Sequence, residues 1–134
     1  MINRFYLAIF FALLVSQAPA AHAKELIQQF TGSRSTNTAE FDVRAPWILD
    51  WRVTGELGRV TAVDASLIDA DTGAYKGEVL RTKNAGNGVR LFNQGGHYYF
   101  RVNSTLMNWT LKVIQLTTKE AEQYTPKYKS SVNP

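Results

Sequence analysis

Trp47-Ile48-Leu49-Asp50-Trp51-Arg52-Val53 decides the fold of this chain. Trp47, Leu49, Trp51 and Val53 fall on one side of an extended backbone. Ile48, Asp50 and Arg52 fall on the other. Successive side chains of a strand point to opposite faces, so this stretch reads as a strand with one face buried and one toward water. The same alternation recurs downstream. Val63, Ala65 and Leu67 alternate with Asp64 and Ser66. Tyr98, Phe100 and Val102 alternate with Tyr99, Arg101 and Asn103, and Trp109, Leu111 and Val113 with Thr110 and Lys112. Repeated half-buried strands mark antiparallel sheets that cover one core.

Turn chemistry separates these runs. Gly55-Glu56-Leu57-Gly58, Asp69-Ala70-Asp71-Thr72-Gly73, Asn84-Ala85-Gly86-Asn87-Gly88 and Asn93-Gln94-Gly95-Gly96 are rich in residues that tolerate positive φ. Strands are expected near residues 25–30, 38–43, 47–54, 60–69, 76–82, 89–92, 97–103 and 109–116. Seven or eight short strands at this spacing predict an all-β protein, an antiparallel β-sandwich of jelly-roll-like form. The expected core is Phe41, Trp47, Leu49, Trp51, Leu67, Leu91, Tyr98, Phe100, Val102, Trp109, Leu111 and Val113.

The ends read differently. Met1-Ile2-Asn3-Arg4 carries one positive charge, an apolar run spans residues 5–15, and Ala21-His22-Ala23 offers small residues at a cleavage site. That order is a secretory signal peptide, expected to be cut after Ala23. Its apolar run is shorter than the ~20 residues a membrane span needs. The mature chain is therefore expected in the periplasm or secreted, with no membrane span once the signal is removed. Residues 24–117 then form one sandwich domain, and residues 118–134 a short helix and flexible tail. Thr117 and Glu120 have capping-box spacing, and Pro126 ends any helix. Residues 119–134 add nothing obvious to the core and read as an interaction tail.

The chain has no cysteine. An exported domain of this size without disulfides fits a bacterial periplasm. The absence also removes a lipid-anchoring cysteine, and one Arg in the n-region excludes a twin-arginine signal. The formal net charge of +4 falls by one when Arg4 leaves with the signal, and the remaining charges are interspersed. No basic stripe suited to nucleic acid is built.

Catalysis finds little support. One of two histidines, His22, lies in the signal, leaving His97. One histidine and no cysteine cannot make the common zinc sites, and no Gly-x-Ser-x-Gly elbow is present. No cofactor or metal is expected. Asp69 and Asp71 alternate as in a calcium loop, but no closing Glu follows at the required offset, so a hairpin turn accounts better for the segment. A weak calcium site at these two residues stays open. Asp50 and Asp64 read as outward residues of solvated strand faces. The aromatics that escape the inward pattern are Tyr75, beside a turn, and Tyr99, which alternates away from Tyr98.

Pro46-Trp47-Ile48-Leu49-Asp50-Trp51, Gly95-Gly96-His97-Tyr98-Tyr99-Phe100-Arg101-Val102 and Trp109-Thr110-Leu111-Lys112-Val113 resemble a recurring plan in small exported bacterial β-sandwich proteins. The plan is similar to pre-peptidase C-terminal domains and to carbohydrate-binding-module-like sandwiches. The resemblance implies a sandwich and a noncatalytic accessory or binding role. The acidic Gly-Asp-x-Asp segment of the pre-peptidase type is missing, and no binding residue carries over.

The leading expectation is an exported, noncatalytic protein that binds an envelope component, either a glycan or another exported protein. Tyr75, His97, Tyr99 and Arg101 are the expected contact residues. A second expectation is an interaction subunit or inhibitor acting through a sheet edge or the C-terminal tail. The third and weakest is a small hydrolase using Asp50, Asp64 or His97.

Overall fold

The chain forms nine strands among the residues that the computed structural model describes, 24–55 and 59–125. The signal-peptide stretch and residues 126–134 of the expected tail lie outside the described residues. The strands are β1 (Glu25–Gly32), β2 (Thr36–Asn37), β3 (Phe41–Val43), β4 (Trp47–Gly55), β5 (Ala62–Asp69), β6 (Tyr75–Thr82), β7 (Gly86–Phe92), β8 (Gly96–Thr105) and β9 (Met107–Gln115). The ninth, unforeseen strand is β2, a two-residue pairing of Thr36 and Asn37 with Val102 and Arg101. It has no apolar alternation to announce it.

Two antiparallel sheets result. The first has the order β1-β9-β4-β7. In the second, β8, β5 and β6 are neighbours, and β2 and β3 both pair with the far side of β8. Phe30, Trp47, Leu49, Val53, Leu111 and Val113 of the first sheet meet Phe41, Val63, Leu67, Phe100 and Val102 of the second in one apolar cluster. Burying each such side chain stabilises the fold by about 1.5–3 kcal/mol. Aromatic rings fill the end of the cluster near β3. Trp47 stacks on Phe92 at 4.1 Å, and Phe41 lies 5.1 Å from Phe100. The polar atoms of the large rings reach loop carbonyls: Trp47 Nε1 donates to Gln94 O at 2.9 Å and Trp109 Nε1 to Arg34 O at 3.2 Å. Buried Trp is tolerated on that condition.

Two core expectations need correction. Leu91 is not in the central core. β7 pairs Phe92, Arg90 and Gly88 with the inward residues Trp47, Leu49 and Trp51, which turns Leu91 outward. Trp51 is only half-buried, and its ring lies over Gly88. A Cβ at Gly88 would stand 2.7 Å from that ring, so the glycine makes the space that the indole fills.

Outward-facing Ile48, Leu91 and Ile114 form a second apolar patch with Leu116, Ala121 and Tyr124. The chain after β9 folds over them as α1 (Thr118–Ala121) and a 3-10 turn (Glu122–Tyr124). The capping box is present: the Glu120 N–H donates to Thr117 Oγ1 at 3.2 Å, and the Thr117 N–H donates to Glu120 Oε1 at 2.9 Å. Lys24 donates to the Tyr124 hydroxyl and lies over its ring, tying the start of β1 to the end of this segment. The expectation that residues from 119 onward add nothing to the core is therefore wrong up to Tyr124.

The sheet edges are irregular. β6 shifts register twice against β5, and β1 shifts once against β9 between Leu26 and Gln28. Such bulges twist an edge away from pairing with other chains. No helix among the described residues is long and apolar enough to cross a membrane.

Candidate functional site

The inward side chains of β8 decide where the outward ones go. Tyr98, Phe100 and Val102 are buried in the core, so His97, Tyr99 and Arg101 stand on the outer face of the second sheet. Across β8 and β5, Tyr99 is opposite Ile68, and across β5 and β6, Ile68 is opposite Tyr75. All four residues expected at the binding surface thus share one face. Ile68 is the informative member of the row. It faces outward by register yet is only 1% exposed. An outward isoleucine is buried only if its neighbours lie over it, and the neighbours in its row are the two tyrosines. Tyr75 itself remains 64% exposed. Arg101, one row further, is exposed and opposite Ser66 and Asn37.

His97 plays a different part. Its Nδ1 is 2.9 Å from Asp71 Oδ1, and its Nε2 is 3.1 Å from Glu40 Oε2. Asp42 is directly opposite on β3. The hydrogen bond with Asp71 first, and the nearby Asp42, Asp71 and Glu40 charges after it, raise the imidazole pKa above its ordinary 6.5, against a smaller opposing effect of burial. Protonated, the ring donates at both nitrogens and clamps the β5–β6 turn to the segment that enters β3. Asp69 shapes the same turn. Its Oδ1 accepts the N–H groups of Asp71 at 2.9 Å and Thr72 at 3.0 Å, and the Thr72 bond is the main cause that lowers its pKa. The carboxylates considered for calcium are thus engaged by protein donors. No group of three or more His, Asp or Glu side chains is arranged for a metal among the described residues.

The residues considered for hydrolysis do not come together. Asp50 is on the outer face of the first sheet, with the whole core between it and the second sheet. Asp64 and His97 share the second sheet's outer face, but Asp64 pairs with Asn103, six residues along β8 from His97, about 20 Å at strand spacing. Asp64 Oδ1 accepts a hydrogen bond from Asn103 Nδ2 at 3.0 Å.

One surface escaped the sequence reading. On the outer face of the first sheet, Gln29, Asp50, Arg52, Asn87, Thr110 and Lys112 line an open concavity of about 470 Å³. Each of these residues alternates with an apolar or core-facing one, so singly each reads as a solvated strand position. Only strand order puts them side by side.

Neither known protein families nor curated proteins give a match to this chain. Among solved structures it is similar to the carbohydrate-binding module CBM6cm-2 from Cellvibrio mixtus lichenase 5A, in complex with cellotriose. The likeness covers 72% of this chain and 91% of that one, at 11% identity and a TM-score of 0.40.

Proposed function

We propose that this chain is an exported, noncatalytic binding protein that engages a glycan of the cell envelope through the outer face of its second sheet. The observation that carries the reading is the row Tyr99–Ile68–Tyr75, in which two tyrosines flank a buried isoleucine on the outer face of the second sheet. Aromatic rings of this kind offer flat apolar surfaces with a polar edge, suited to the C–H faces of sugar rings. Arg101 adds donors for hydroxyl groups next to that row. The leader and lack of cysteine described above support export. The separation of Asp50 from Asp64 and His97 supports binding rather than hydrolysis. The tail version of a protein-interaction role loses the support it drew from residues 119–124, because Ala121 and Tyr124 are engaged on the first sheet.

Co-sedimentation of the protein with isolated peptidoglycan sacculi, at low and high salt, tests the reading. Salt-resistant pelleting that is lost in the Tyr75→Ala/Tyr99→Ala variant is the expected result. Pelleting unchanged in that variant would remove this face as the site, and pelleting abolished by salt alone would point to charge rather than stacking.

A further inference from the structure

We propose that the outer face of the first sheet is a second binding site, and that it takes an acidic sugar unit, a hexuronate. Three rows cross this face. Leu26, Ile114, Ile48 and Leu91 form the first; Gln29, Lys112, Asp50 and Val89 the second; Thr31, Thr110, Arg52 and Asn87 the third. The C-terminal segment covers Ile114, Ile48 and Leu91 of the first row and leaves Leu26 exposed at the sheet edge. The other two are left open as the 470 Å³ concavity, within the range of small-molecule sites.

The charges in those open rows come from Asp50, Lys112 and Arg52, and Asp50 also exerts a favourable charge effect on Lys24. Asp50 and Lys112 are directly opposite across β4 and β9, and Arg52 is in the next row of β4. None of the three forms an ion pair among the described residues, whereas His97 and Arg81 on the second sheet's face do. Two cations and one carboxylate around one concavity suit a ligand that carries both an anionic group and hydroxyls. Arg52 and Lys112 donate to the carboxylate of the sugar, and Arg does so through two parallel bonds. Asp50 accepts from hydroxyls, and Asn87 and Gln29 supply neutral partners at the two edges. β4 and β9 are the central strands of the sheet, held on both sides, so the backbone positions that carry Arg52, Asp50 and Lys112 are set before the ligand arrives.

Calorimetric titration of the full chain with tri-galacturonate and with its methyl ester tests the proposal. The ester keeps the hydroxyls and removes the charge. Binding of the acid, with at least about a tenfold loss for the ester and for Arg52→Ala or Lys112→Met, is the expected result. Tyr75→Ala/Tyr99→Ala leaves this binding unchanged, so failure of one face is read separately from failure of the other. Absence of binding, equal binding of acid and ester, or variants that bind like the parent would overturn the proposal. So would competition by inorganic phosphate at the same concentration as the sugar, which would make the face a bare anion patch.

Discussion

The two outer faces of the sandwich solve the same problem in opposite ways. Both carry apolar residues among charged ones on a surface that meets water. The second sheet buries its outward Ile68 in a row flanked by Tyr99 and Tyr75, and ties several of its charged groups to partners on the same face while Arg101 stays exposed. His97 bridges Asp71 and Glu40, Arg81 holds Glu78, and Asp64 accepts from Asn103. The first sheet hides Ile48, Ile114 and Leu91 under a separate segment, α1 and the turn after it, and the charges of the next rows, Asp50, Lys112 and Arg52, line an open concavity. Charges that satisfy each other hold a surface in shape. Charges held apart by a rigid sheet remain available to a ligand.

The largest expected effect breaks the first sheet's face into its two halves. Ile48 is 2% exposed under the C-terminal segment, while Val89, one row away, is 48% exposed. Ile48→Ala is expected to destabilise the fold by about 2–5 kcal/mol and Val89→Ala by no more than about 0.5 kcal/mol, as read by urea unfolding. Equal losses would mean that the segment does not cover the sheet. Removal of residues 119–134 sharpens the same contrast. It uncovers Ile48 and Leu116 and is expected to cost about 2 kcal/mol while leaving the rows of the concavity in place. Uronate binding by the truncated chain checks the second half of that statement.

Gly88→Ala probes the rim where the concavity meets the core. The added methyl group collides with the Trp51 indole, which has the core on its other side. A loss of about 1–3 kcal/mol is expected, with a shift in tryptophan emission as the ring is displaced. A neutral substitution would show that Trp51 swings out freely.

Much of this was legible in the chain, and the failures have physical causes. The four alternating runs, at residues 47–53, 63–67, 98–103 and 109–113, all lie in strands, because period-two burial survives any topology. Leu91 was misplaced because the inward positions of β7 are Gly88, Arg90 and Phe92. A glycine and an arginine do not look like a core face, so the outward leucine drew the assignment. Ala121 and Tyr124 lie in a single turn of helix, too short to display a 3.6-residue period. The shared face of Tyr75, His97, Tyr99 and Arg101 follows partly from alternation, since three of the four lie on β8. The concavity on the other sheet was not legible. Its members come from four strands, and their adjacency exists only after β9 has inserted between β1 and β4.

The smallest effect concerns the clamp on the second sheet. Folding raises the pKa of His97, so the folded chain holds that proton more tightly than the unfolded chain. The stabilisation is complete below the ordinary value of 6.5 and is lost as the pH climbs through the raised value. The partners are exposed, so the effect is modest and weakens with salt. Thermal melts at about pH 5.5 and about pH 8.5 should show a lower midpoint at the higher pH, and His97→Gln should remove that difference. A variant that keeps the parent's pH dependence would place the titrating group elsewhere. The difference between the faces would then rest on Arg81–Glu78 and Asp64–Asn103 alone, since only His97 among the paired groups changes charge near neutral pH.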